Sequence, residues 1–175
     1  HHHHNYEDVE VFNAWAAFEA KQKSPDAAYA VIERGRRLFA RDASLLQTLG
    51  SLQRRQGDTD AARASLRHSI NLAPRGPTYV EYALLEAEAG DEASARRLFA
   101  EGAKADPSHA PLHSARARFE AKCGQADTAR ELLREATSRC PSATLWHGWG
   151  RLEERSGNLL RAAELYERGA RFGSG

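Results

Sequence analysis

An all-α solenoid of five helical hairpins is the fold class that this 175-residue sequence predicts. Three columns predict it. Gly57, Gly90, Gly124 and Gly157 recur every 33 or 34 residues, and an alanine follows each by five positions: Ala62, Ala95, Ala129 and Ala162. Pro74, Pro107 and Pro141 stand seventeen positions after the first three glycines. A fixed period of this length marks a stack of supersecondary units, each too small to bury its own apolar face.

Each unit reads as two helices. The first, helix A, carries apolar residues at helical spacing: Phe12, Trp15 and Phe18, then Leu46, Leu49 and Leu52, Tyr79, Tyr82 and Leu85, and finally Trp146, Trp149 and Leu152. The glycine ends helix A, because a left-handed turn suits it. The next residue is Ser24, Asp58, Asp91, Gln125 or Asn158, mostly a type that caps a new helix. The first unit has Lys23 in the glycine column and starts its second helix at Ser24-Pro25-Asp26. Helix B then runs to the proline, and Pro77 and Pro111 open the following A helices. One helix-B column stays small: Gly35, Ser69, Gly102, Ala136 and Gly169. Glycine inside a helix costs about 1 kcal/mol, so its recurrence there points to close helix contact.

The predicted repeats span residues 9–42, 43–76, 77–109, 110–143 and 144–172. Residues 1–8 are a lead-in whose histidines resemble a purification tag, and 173–175 form a tail. With no methionine anywhere, the chain reads as a piece of a longer protein, so its ends carry no compartment signal. Cys123 and Cys140 would sit at opposite ends of antiparallel neighbours, which favours free thiols in a reducing compartment.

The charge balance, 25 basic against 24 acidic residues, does not by itself call for an anionic partner. Of the basic residues 21 are arginine, the side chain that forks onto phosphate and stacks on bases. A GC-rich genome would give the same excess together with the abundant alanine and glycine. No catalytic constellation, metal-ligand set, phosphate loop or membrane-spanning run is present, so the expectation is a non-enzyme without cofactor, metal, membrane or small-molecule substrate. His109 and His113 are four apart but lack a completing carboxylate or thiol.

A further column narrows the family. Glu19, Gln53, Glu86, Glu120 and Glu153 each follow a large apolar residue, and Ala62-Arg63, Ala95-Arg96 and Ala129-Arg130 recur in helix B. Together with "FNAWAAFEA" and "WGRLEERSGNLLRAAELYERG", this pattern resembles the half-a-TPR, or HAT, variant of the tetratricopeptide repeat over about residues 9 to 172. Gln53 and Ala163 depart from it. The resemblance implies a right-handed superhelix and work in RNA metabolism. Its motif flavour is most like the chloroplast factors that stabilise and activate photosystem II messages.

Two structural readings accompany it. The aromatic columns are interdigitating wedges, because leucine fills them in other repeats, although part of Trp149 in the last unit should be exposed. The glutamate column and the arginines should form a structural ion pair within each hairpin.

The functional surface is expected on the A helices, away from the aromatic columns. Unit one offers Asn13 and Lys21, and unit two Gln47, Ser51, Arg54 and Arg55. Unit four offers Ser114, Arg118 and Lys122, and unit five His147, Arg151 and Arg155. Unit three breaks the stripe with Val80, Leu84 and Glu88. Arginine and lysine columns can track a phosphate backbone, and amides can reach the edges of unpaired bases. The leading expectation is therefore a single-stranded mRNA binder acting on 5′ untranslated regions in a chloroplast. The alternative is a protein-protein or self-associating scaffold of a nuclear RNA-processing complex, its groove holding an acidic peptide. A co-chaperone clamp for a C-terminal carboxylate needs a Lys/Asn/Arg set of which only fragments occur.

Overall fold

The computed structural model describes residues 2–22 and 25–173, which form ten α-helices and no strand. Lys23, which fills the glycine column, and Ser24, which opens the predicted second helix, lie outside the described residues, as do His1, Ser174 and Gly175. The helices are α1 (His2–Gln22), α2 (Pro25–Leu38), α3 (Ala43–Arg55), α4 (Thr59–Leu72), α5 (Gly76–Glu88), α6 (Glu92–Ala105), α7 (Ala110–Lys122), α8 (Ala126–Arg139), α9 (Ala143–Arg155) and α10 (Leu159–Gly173). The contacts divide the chain within α6, into a unit up to Ala95 and a unit from Arg96 onward. In the first, α1 packs on α2, α3 on α4, and α1, α3 and α5 touch in turn. In the second, α7 packs on α8, α9 on α10, and α7 on α9. No described helix is long and apolar enough to cross a membrane.

The glycine column works as its chemistry requires. Gly57, Gly90, Gly124 and Gly157 take φ of 82°, 86°, 82° and 84°, a conformation in which a Cβ would be strained. Each turn closes a helix with the following residue's amide on a carbonyl five residues back, as Asp58 N–H on Gln53 O at 3.0 Å and Asn158 N–H on Glu153 O at 2.8 Å. The caps that follow are less uniform than predicted. Asp58 and Asp91 accept from the amides of Ala61 and Ser94, but Gln125 makes no capping bond. Asn158 turns its amide nitrogen onto Glu153 Oε1 at 2.8 Å, so the carboxylate takes the donor. Pro77 and Pro111 occupy the first turns of α5 and α7, where no amide partner is lost.

The small column of helix B permits close approach. A Cβ on Gly35 would sit 3.0 Å from the Phe12 ring, and one on Gly169 would sit 3.1 Å from the Trp146 Cβ. Ser69 donates instead to the Ala43 carbonyl of its own hairpin at 2.7 Å. A second small column, in helix A, escaped the sequence reading: Ala16, Gly50, Ala83, Ala117 and Gly150 are all buried. A Cβ on Gly50 would stand 2.6 Å from Leu66, and one on Gly150 2.6 Å from Tyr166.

The arginine and glutamate columns do pair, but between hairpins and not within them. Arg63 Nε lies 2.7 Å from Glu86 Oε2, Arg96 Nε 2.8 Å from Glu120 Oε2, and Arg130 Nε 2.9 Å from Glu153 Oε2. In each pair Nη2 donates to the other carboxylate oxygen, giving a parallel two-point bond. The reason is directional: helix B presents its arginine to the A helix that packs next against it, beyond its own hairpin. The first hairpin carries Tyr29 at the arginine register, and the second carries Gln53 at the glutamate register, so both members of that junction change together. Cys123 and Cys140 form no disulfide with each other.

The aromatic columns are wedges in most repeats. Tyr79, Tyr82, Phe119 and Trp149 are buried. The expected partial exposure of Trp149 is corrected. Trp146 stacks on it at 5.9 Å, Arg161 covers the ring at 5.2 Å, and its indole N–H reaches Glu153 Oε2 at 3.2 Å. Trp15 and Phe18 depart the other way and stand exposed, because no described helix packs on that side of α1.

Candidate functional site

In the second unit α7, α9 and α10 enclose an open pocket of about 1220 Å³. Its wall is built from the outward turns of α7 and α9, where residues three and four apart share a face. Ser114, Arg118 and Lys122 line it from α7, and His147, Arg151 and Arg155 from α9. All six stripe positions expected of the fourth and fifth repeats thus come together. Ala117, Ala121, Gly148 and Leu152 form an apolar floor. A Cβ on Gly148 would lie 2.7 Å from Ser114 Oγ, so glycine is what lets α9 approach α7 there.

The charge in this pocket is uncompensated. Arg118, Lys122, Arg151 and Arg155 are exposed, and none forms an ion pair with a described carboxylate. The one carboxylate on the lining, Glu154, accepts from the Tyr166 hydroxyl at 2.6 Å. Burial, and then that carboxylate, push the Tyr166 phenol above its usual range, so it stays a donor. His147 lies against Tyr166 with ring centroids 5.3 Å apart. Chemically, the pocket offers four cations over an apolar floor, an arrangement for anionic groups attached to apolar ones.

The stripe of the first unit is a different object. Arg54 donates to Glu81 at 3.0 Å and to Glu88 at 2.7 Å. Burial alone would lower the Arg54 pKa, and the two carboxylates more than reverse this, so the cation is held and spent internally. Ser51 is buried and donates to Glu81 at 3.1 Å. Gln47 accepts from Arg75 at 2.9 Å. Asn13 donates to Ser44 at 2.9 Å and accepts from Thr48 at 2.6 Å. These four positions tie one A helix or loop to another. Arg55 is exposed and lines a smaller pocket of about 160 Å³ with Asn13, Gln47 and Ser51. Lys21 is exposed and lines neither pocket. The sequence reading noted Glu88 as a break in the stripe but missed Glu81. Its signal was an acidic residue one repeat beyond Thr48, on the A-helix face that Arg54 reaches.

Neither Trp146 nor Trp149 lines the pocket; their stack is sandwiched with Phe172 of α10. The tryptophans therefore hold helices together and offer no stacking platform in the basic pocket.

Two stretches match family profiles described as tetratricopeptide repeat, at residues 43–75 and 110–152. These two stretches are similar to the tetratricopeptide repeat. The same fold extends over the chain in solved structures. A thermophilic TPR protein of Thermus thermophilus superposes with a TM-score of 0.73 at 19% identity, covering 96% of this chain and 91% of its own. A tetratricopeptide repeat protein from Parabacteroides merdae gives 0.70 at 16% identity, covering 94% and 65%. A chain of the APC/C hetero-tetramer Cut9-Hcn1 gives 0.65 at 14% identity, covering 83% and 28%. At such identities the likeness is one of fold. No curated protein matches the chain in sequence. The matches speak for the tetratricopeptide repeat in general and not for its HAT variant.

Proposed function

We propose that this chain is a protein-protein interaction scaffold whose α7–α9–α10 pocket holds an acidic segment of a partner protein. The observation that carries the reading is the quartet Arg118, Lys122, Arg151 and Arg155, unpaired over an apolar floor in one pocket. Matches to the tetratricopeptide repeat support a scaffold role, and one similar fold comes from a chain of a protein hetero-tetramer. An extended acidic peptide with apolar anchors suits both features of the pocket.

Single-stranded RNA is the second reading, favoured by the same arginines, and chloroplast or nuclear residence would follow only from the HAT resemblance. Two observations count against it. In the first unit's stripe Arg54 is neutralised by Glu81 and Glu88, and Ser51, Gln47 and Asn13 are bonded within the protein. The tryptophans that could stack on bases are used in packing.

The test is fluorescence anisotropy with a short acidic peptide, its lysine-substituted counterpart and a single-stranded RNA pool, at low and physiological salt. The acidic peptide alone should bind, and reversing the four cations to glutamate should weaken it by about a hundredfold with helical content intact. Salt-steep RNA binding without peptide binding would transfer the pocket to nucleic acid.

A further inference from the structure

The groove between α7 and α9 in the basic pocket has a counterpart between α1 and α3, lined at matching registers. Asn13, Thr48, Ser51 and Arg55 line the counterpart, and Ser114, Gly148, Arg151 and Arg155 stand at the same registers of the pocket. The counterpart measures about 160 Å³ against about 1220 Å³. One register bears on the floor. Thr48 donates across the α1–α3 groove to Asn13 at 2.6 Å, and Glu81, at the same register of α5, accepts from Ser51 and Arg54. Gly148 has no side chain to place there. The floor of Gly148, Ala117 and Ala121 is therefore bare enough for a peptide main chain to lie on it.

The cations stand in two tracks beside this floor. Arg118 and Arg151 share one register, and Lys122 and Arg155 share the register four residues on. At 1.5 Å per residue the two registers are about 6 Å apart along the helices. The second register, which also holds Lys21, Arg55 and Glu88, is exposed in all five A helices, so adjoining repeats do not cover it.

Resting on the scaffold reading above, we infer that Gly148 is the specificity-determining residue of the pocket and that the occupant is an extended run of four consecutive acidic residues. Successive side chains of an extended chain point to opposite sides, and alternate ones recur about 6.6 Å apart. A main chain laid along Gly148 sends its first and third carboxylates to Arg118 and Lys122 on α7. It sends the second and fourth to Arg151 and Arg155 on α9. Each anion meets one cation. A helix with one acid per turn would ride on the cations and leave the floor empty.

The α1–α3 groove supplies a way to close this floor. Ser114→Asn with Gly148→Thr transplants the Asn13–Thr48 bond onto α7 and α9, where Thr144 holds the register of Ser44, the hydroxyl that accepts from Asn13. All four cations and the net charge stay as they are. Fluorescence anisotropy compares two peptides of equal length and charge, one with four consecutive aspartates and one with an aspartate at every fourth position. Wild type should prefer the consecutive run by at least about tenfold, and the double variant should lose that preference. Circular dichroism checks that the variant keeps its helices. Equal affinity of wild type for the two peptides overturns the inference without any variant. So does a helical double variant that keeps the wild-type preference. If neither peptide binds wild type at low salt, the acidic-segment reading itself fails and this inference falls with it.

Discussion

Arg130 reaches from α8 into the next hairpin and holds Glu153 through two parallel bonds, at 2.9 and 3.0 Å. The carboxylate also receives the Trp149 indole and the Asn158 amide. Removing the guanidinium leaves a nearly buried charge with only neutral donors. Arg130→Ala should therefore destabilise the fold by about 2–3 kcal/mol, read as a lower urea midpoint at unchanged slope.

Acid should act at the same place. Burial by itself would raise the Glu153 pKa, but Arg130, Asn158 and Trp149 outweigh it and hold the group below its ordinary value. A carboxyl with a depressed native pKa stabilises the fold fully above its unfolded pKa of about 4.3. That stabilisation is lost as pH falls through the native value. Glu153→Gln should thus lower stability at pH 7 and flatten its decline below about pH 4.5, measured by urea denaturation across pH.

Two glycines should resist replacement for opposite reasons. Gly50→Ala gains about 1 kcal/mol of helix propensity but drives a Cβ to 2.6 Å from buried Leu66, and overpacking of about 1–3 kcal/mol should win. Gly57→Ala meets nothing within 4 Å, yet its φ of 82° should cost about 1 kcal/mol. In a double-mutant cycle with Leu66→Ala, Gly50→Ala should cost less than it does alone, whereas Gly57→Ala should cost the same.

The two halves of the expected stripe should separate in binding. Arg54→Gln removes a cation already bound to Glu81 and Glu88, so acidic-peptide affinity should stay within about twofold. Arg151→Gln removes an unpaired one and should weaken binding about tenfold. Anisotropy titrations of both variants read the contrast.

Most helix boundaries were legible because glycine and proline act locally: a φ of 84° at Gly157 and a missing amide at Pro111 leave few alternatives. The partners of the arginines were harder. Arg63 has a glutamate-column residue in its own hairpin, Gln53, and another in the next, Glu86, and periodicity alone does not choose between them. The clue was in the exceptions. Tyr29 and Gln53 depart together although they belong to successive hairpins, whereas Ala163 leaves Glu153 of its own hairpin unchanged. The pocket lining followed from helix register at Arg118, Lys122, Arg151 and Arg155. The neutralisation of Arg54 did not, because it depends on Glu81 and Glu88 across a helix contact. Trp15 and Phe18 occupy core columns, but a column is buried only where a neighbour covers it.

Because the arginine of one hairpin serves the glutamate of the next, each such bond belongs to the coupling between neighbours and to neither alone. In the language of a one-dimensional lattice, it raises the interface energy and leaves intrinsic repeat energies untouched. Melting should then be sharply cooperative from Arg63 onward. The Tyr29 and Gln53 junction, lacking this bond, is the weak link at which the first hairpin should fray before the rest.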